Sequence, residues 1–244
     1  MQITIAGYGP VGRAHAHLLS QEHEVQIYDP PLGHTEFGTP THVIICVATP
    51  ADANGRCQMR NVEAVLRKVA VHTHVLIKST ISLEGWHELT RKYPQHLISF
   101  SPEFLRARSA EQDLLDTELM FIGGQGADGW SQVFDCEIET ADPRSLITAK
   151  YARNTFLALK VSYFNQLYDF CRAAGIPWSE ARRYTVIDDR IGQSHSSVTD
   201  QRGYGGHCFP KDVSAFITTA QDLGADMTIL EAADEYNRKI RREE

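Results

Sequence analysis

The chain has 244 residues, with 24 Lys and Arg against 31 Asp and Glu and a formal net charge of −7. Hydrophobic residues make up 42% and charged residues 23%, ordinary globular values that exclude a disordered or fibrous chain. The acidic balance argues against a dedicated nucleic-acid binder, and at roughly 100–200 residues per domain the length allows one large domain or two modest ones.

The first residues run straight into a strand-like stretch, with no charged region followed by a long apolar core, so no leader is expected. The longest apolar runs, such as 43–48, are too short to span a bilayer. Five cysteines, Cys46, Cys57, Cys136, Cys171 and Cys208, form no CxxC pair and are odd in number. That pattern predicts reduced thiols in a cytoplasmic protein and calls for no metal.

Residues 2–6 read as a strand, followed by Gly7-Tyr8-Gly9-Pro10-Val11-Gly12 and a helical pattern with Val11, Ala14, Leu18 and Leu19 on one side. A second strand, 24–28, ends at Asp29. Apolar runs at 43–48, 75–77, 97–100 and 119–122 predict further buried strands, with helices at 61–71 and 83–92 between them. Strands alternating with helices imply a parallel, doubly wound Rossmann sheet. The 30–41 connection is too short for an ordinary crossover helix and predicts an abbreviated one. The pattern changes near Ala141, so the domains are expected at 1–141 and 142–244. From Asp142-Pro143, a cap and first-turn pair, a helix runs to Ala174, where Gly175-Ile176-Pro177 stops it. It is apolar nearly all round, which predicts burial on most faces, between domains or subunits, and a homodimer through 143–174. Helices at 178–185, 212–223 and 228–242 complete an all-α second domain.

Gly7-x-Gly9-x-x-Gly12 follows a strand, opens a helix and precedes Asp29. In that setting glycines permit a tight turn and close approach of a pyrophosphate to the helix N-terminus. Asp29 would accept hydrogen bonds from a ribose and repel a 2′-phosphate, favouring NAD over NADP. In the 203–212 segment, Gly-Tyr-Gly-Gly-His-Cys-Phe-Pro-Lys-Asp, glycines let a substrate approach Cys208. Lys211 would favour its thiolate, and Asp212, one turn on, would handle a proton. Lys150 and Asn154, four apart on the long helix, share a face and are expected to point at one oxyanion; a structural hydrogen-bond network is the alternative. The 101–106 segment and Thr80 each follow a strand, where ligand sites of open parallel sheets lie.

Together, GYGPVG (7–12), KSTIS (78–82), SPEFLR (101–106), AKYARNTFLALKVSYFNQ (149–166), RIG (190–192) and GYGGHCFPKD (203–212) resemble, in order, the UDP-glucose/GDP-mannose/UDP-N-acetylmannosamine 6-dehydrogenase family. The resemblance covers nearly the whole chain. It implies oxidation of a sugar primary alcohol to a carboxylate with two NAD, through a thioester on the cysteine. It implies Cys208 as nucleophile, Lys150 and Asn154 as oxyanion donors, Asp212 and Thr80 holding a proton-relaying water, and Glu103 assisting thioester hydrolysis. The cofactor set implied is Gly7, Gly9, Pro10, Val11, Gly12, Asp29, Thr80 and Lys211. The substrate set is Glu103, Phe104, Leu105, Lys150, Asn154, Gly205 and Arg190, the last acting across a subunit interface. The alternatives are a two-electron dehydrogenase of the hydroxyacid or 6-phosphogluconate type, for which GGHCFPKD has no purpose, and a catalytically silent NAD-binding subunit.

The sequence departs from the family pattern at several places. Ala107-Arg108 stand where relatives have Glu-Gly, His207 replaces Ser before the cysteine, Asp116-Thr117-Glu118 replaces Pro-Asp-Arg, and Ile81-Ser82 replaces the usual Pro after Thr80. Relatives also continue into a third domain that grips the uridine diphosphate, so the expectation is a chain without that surface.

Overall fold

The computed structural model describes residues 1–106 and 108–242; Ala107, one of the departures above, lies outside the described residues. Two compact units emerge, Met1–Asp52 with Cys57–Lys150, and Ala53–Arg56 with Tyr151–Glu244.

The first unit is built on β1 (Gln2–Ala6), β2 (Glu24–Tyr28), β3 (His42–Ile45), β4 (His74–Ile77), β5 (Leu97–Phe100), β6 (Leu119–Gly124) and β7 (Glu137–Thr140). They form one sheet in the order β2-β1-β3-β4-β5-β6-β7. The first five are parallel, in a doubly wound arrangement, and the abbreviated 30–41 connection holds only a short 3-10 turn, Pro30–Leu32. The chain leaves β1 toward β2 on one side and returns to β3 on the other, which puts a topological switch point between β1 and β3. The parallel run breaks at β6, which pairs antiparallel to β5 through Ser99↔Gly124 and Phe100↔Gly123. An apolar run fixes burial but not strand direction, so Leu-Met-Phe-Ile carried no sign of the reversal. The edge strand β7, with Ile138 as its one half-buried apolar residue, had no apolar run to announce it.

Ile3, Ile5, Ile44, Leu76 and Ile122 pack with Ala14, Leu19, Trp130 and Phe134 into the core of this unit. Each Ile, Leu or Phe side chain here contributes about 1.5–3 kcal/mol on burial. Helix α1 (Pro10–Leu19) starts with Pro10 in its first turn, and α2 (Arg60–Leu66) is five residues shorter at its end than the 61–71 pattern predicts. Helix α3 (Leu83–Lys92) falls where expected. Ile81 is 1% exposed and Ser82 Oγ accepts the Gly85 N–H at 3.0 Å, so Ile-Ser gives this chain an apolar anchor and a helix cap in place of the family's proline. A short α4 (Ala110–Leu115), missed from sequence, ends at Asp116.

Helix α5 (Pro143–Ala174) has the predicted bounds. Asp142 Oδ2 accepts from Ser145 N–H and Oγ, both at 3.1 Å, at its start. At its end Gly175 takes φ +69° and Ile176 N–H bonds Cys171 O at 2.9 Å.

The second unit packs α6 (Trp178–Val186), α7 (Phe209–Asp222) and α8 (Thr228–Ile240) with the α5 residues from Tyr151 onward. Ala158, Tyr204, Val213 and Leu230 form its core, and the Tyr151 and Phe216 rings stack at 5.5 Å. Residues 53–56 belong here: Thr218 Oγ1 donates to Asn54 O at 3.1 Å and Arg56 pairs with Asp222 at 2.6 Å. On this single chain Phe156, Tyr163 and Phe170 of α5 are 64%, 59% and 62% exposed. Their spacing of seven sets them on one stripe. Among the described residues no helix is long and apolar enough to cross a membrane.

Candidate functional site

The glycine loop separates what the fold needs from what it does not. Gly7 takes φ +95°, and a Cβ there would sit 2.6 Å from the Cys46 carbonyl oxygen. A Cβ on Gly12 would sit 1.9 Å from the Gly7 oxygen, so that glycine lets α1 close against β1. Gly9 has neither reason: its φ of −73° suits any residue and nothing lies within 4 Å of a Cβ built on it. Open space beside the first turn of α1, at the switch point, is the cradle a pyrophosphate fills. Pro10 and Val11 begin the helix behind it. Asp29 Oδ2 accepts the Tyr8 N–H at 2.7 Å, so the ribose-binding candidate also fixes the loop. These residues fit a dinucleotide.

Further along the same edge of the sheet lie the residues after β4 and β5. Thr80 is half-buried, its carbonyl held by Thr49 Oγ1 at 2.7 Å and Cys57 Sγ at 3.2 Å. Glu103 is 8% exposed, and its Oε1 accepts the Leu105 N–H at 2.7 Å. Lys150 Nζ donates to the Glu103 main-chain carbonyl and lies 5.6 Å from the Phe104 ring centre. Burial alone would push the Glu103 carboxyl up, but the Lys78 charge beside it, with smaller contributions from His15, Leu105 N–H and Lys150, holds it below its ordinary value.

In the second unit, the 203–212 loop leads into α7 with Cys208 as its N-cap residue, exposed to solvent. Asp212, one turn on, is 0% exposed; its Oδ2 accepts from Asn154 Nδ2 and its Oδ1 from Lys211 Nζ, each at 2.5 Å. The loop is gripped from below. Tyr204 N–H donates to Asn237 Oδ1 at 2.7 Å, Asn237 Nδ2 donates back to Tyr204 O at 3.1 Å, and Tyr204 OH donates to Asp234 at 2.6 Å. Gly203 takes φ +52° with its N–H on Asn165 Oδ1.

The structure therefore brings together Glu103, Phe104, Leu105 and Lys150 in one unit, and Cys208, Lys211, Asp212 and Asn154 in the other. The Lys150 ammonium donates to the Glu103 main-chain carbonyl and the Asn154 amide to the Asp212 carboxylate, each partner being buried and needing a donor. Gly205, expected to admit substrate, lies against the Arg241 guanidinium, 2.4 Å from where its Cβ would be. Arg190 is exposed and paired with Asp188 at 2.6 Å. Sequence reasoning missed Lys78 and His15, both buried beneath Glu103; a lysine directly after an apolar strand was the available signal.

Two profiles of one protein family match this chain. The UDP-glucose/GDP-mannose dehydrogenase family NAD binding domain covers residues 35–133, and the central domain of the same family covers 145–239. The chain belongs to the UDP-glucose/GDP-mannose dehydrogenase family. NAD is accordingly its cofactor. The chain is 29% identical over 222 residues to the UDP-glucose 6-dehydrogenase of Rhizobium meliloti, covering 82% of this chain and 50% of that one. It is 30% identical over 220 residues to that of Pseudomonas aeruginosa, covering 81% and 48%. It spans about half the length of the curated relatives it matches. A UDP-glucose dehydrogenase structure from Pyrobaculum islandicum superposes with a TM-score of 0.82 at 25% identity, covering 98% of this chain and 68% of that one.

Proposed function

We propose that the chain oxidises the primary alcohol of a nucleotide sugar to a carboxylate in two hydride transfers through Cys208. Residues 1–141 serve as the NAD domain and 142–244 as the catalytic domain, in the cytoplasm, where the free cysteines stay reduced. NAD, when bound, supplies the hydride acceptor for both steps. In the first, the alcohol loses a hydride and a proton and becomes an aldehyde. The Cys208 sulfur adds to the aldehyde carbon to give a thiohemiacetal, which loses a second hydride and a proton and becomes a thioester. Water then cleaves the carbon–sulfur bond, leaving the acid and the free thiol.

Lys150 and Asn154 donate hydrogen bonds to the oxyanions once substrate is bound, and Asp212 with Thr80 holds the water that moves protons. Glu103 takes the proton of the hydrolytic water. Phe104 and Leu105 border the sugar, and Lys211 borders the cofactor. Arg190 reaches substrate from a partner protomer, in a homodimer joined through the exposed stripe of α5. The observation that carries this is Cys208, exposed at the head of α7, with a fully buried carboxylate one turn below it held by two donors. A packing cysteine needs neither exposure nor such a pair. The test is Cys208→Ala with UDP-glucose, UDP-N-acetylmannosamine and GDP-mannose offered in turn. Acid formation should vanish while NAD affinity stays within about twofold; acid accumulating at the wild-type rate contradicts the thioester route.

A further inference from the structure

Lys78 directly follows β4 and opens the Lys-Ser-Thr-Ile-Ser segment, yet its side chain is only 4% exposed. Its Nζ lies 3.3 Å from Glu103 Oε2 and donates to Ser101 Oγ at 3.1 Å and to Pro102 O at 3.4 Å. Glu103 Oε1 is satisfied by the Leu105 N–H, whereas Oε2 makes no hydrogen bond of normal geometry. A carboxylate withdrawn from water keeps its charge only if an opposite charge or strong donors stand beside it.

Among the described residues, the titratable groups that act on this carboxyl are His15 on α1, Cys46 after β3, Lys78 just after β4 and Lys150 on α5. Burial, aided by the Lys78 charge, holds the His15 ring neutral down to about pH 4, with its Nδ1 on Val11 O at 2.9 Å. Burial likewise pushes the Cys46 thiol up and keeps it protonated. Lys150 Nζ is directed to the main-chain carbonyl of Glu103. At the carboxylate itself stands the Lys78 ammonium, 3.3 Å from Oε2.

We infer that Lys78 is the positioning residue for Glu103: an ammonium 3.3 Å from Oε2, fixed by Ser101 and Pro102, that holds this carboxylate ionised and in one orientation. This rests on the function proposed above, in which Glu103 takes a proton from the water that cleaves the thioester. An ionised carboxylate can accept that proton; a neutral carboxyl cannot. A serine or threonine after the strand, the part of the segment a sequence reader notices, would then be accompanied by a lysine acting from beneath the sheet edge.

The test reads Glu103 directly. Infrared titration of the full chain, with Glu103→Gln as the difference reference, reports the carbonyl stretch of the protonated carboxyl without substrate. In the wild type the band should be absent at neutral pH and emerge only below the ordinary carboxylate range near pH 4.3. In Lys78→Met it should be present at neutral pH, a shift of about two units or more, and Lys78→Arg should restore the wild-type titration. A wild-type band at neutral pH, or a Lys78→Met titration equal to the wild type, overturns the inference. The wild-type measurement decides the matter even if Lys78→Met fails to fold. In single turnovers, Lys78→Met should slow thioester hydrolysis about tenfold more than hydride transfer and move its acidic limb to higher pH. Equal slowing of both steps would mark a merely structural lysine. If the wild type oxidises no nucleotide sugar, the proposed function fails while the infrared result still decides the role of Lys78.

Discussion

Gly9 and Gly12 make opposite predictions although they belong to one motif. An alanine at position 12 brings its Cβ to 1.9 Å from the Gly7 carbonyl oxygen and 3.5 Å from Ile5 Cγ2. Ordinary contact begins near 3.4 Å, so the oxygen contact is short by about 1.5 Å, and both sides are backbone. Overpacking typically costs about 1–3 kcal/mol, and with no side chain to swing away Gly12→Ala should lie at or above the top of that range. An alanine at position 9 meets no protein atom within 4 Å and keeps an extended φ, so its stability should stay within about 0.5 kcal/mol of the wild type. Its methyl group would fill the space meant for the pyrophosphate, weakening NAD at least about tenfold, or about 1.4 kcal/mol. Urea denaturation measures the first quantity and calorimetric NAD titration the second. Wild-type NAD affinity in Gly9→Ala, or equal destabilisation of the two variants, would refute the assignment of Gly9 to the cofactor.

Asp29→Asn should narrow the preference for NAD over NADP by about tenfold, since the charge that repels a 2′-phosphate is gone; competing titrations of the two cofactors measure it. His15 carries a pH dependence. Its folded pKa is lowered from 6.5 to about 4, chiefly by burial, so the unfolded chain takes up the proton first and stability falls as pH drops from about 6.5 to about 4. The loss approaches about 3 kcal/mol, and His15→Leu should show a correspondingly smaller fall in urea midpoint over that window. A charge on the exposed α5 stripe, Tyr163→Glu, should convert the proposed homodimer to monomers in sedimentation velocity. A wild-type monomer would remove that interface and the shared role of Arg190.

Much of this was legible because the signals were local. A strand, three glycines and a terminal Asp29 stand within one βαβ unit, and α5 carries its own punctuation in Asp142-Pro143 and Gly175. What stayed hidden depends on neighbours distant in sequence. The reversal of β6 rests on a two-pair ladder to β5, and β7 is an edge strand whose burial is too slight to leave an apolar run. The apolar character of α5 was legible, but not that Phe156, Tyr163 and Phe170 stay exposed on one stripe, since periodicity alone does not say which apolar face a neighbour covers. The role of Lys78 stayed hidden because its partner Glu103 lies 25 positions on and one strand over. Gly205 was read as room for a ligand, and the fold fills that room with Arg241.

The central claim is a four-electron oxidation through Cys208, and the ratio of NADH formed to substrate consumed tests it most directly. With a nucleotide sugar that the chain accepts, stopped assays should give two NADH for each acid released, with a transient sugar thioester on Cys208 in the mass spectrum of the quenched protein. One NADH for each free aldehyde, with Cys208 unmodified, would contradict it.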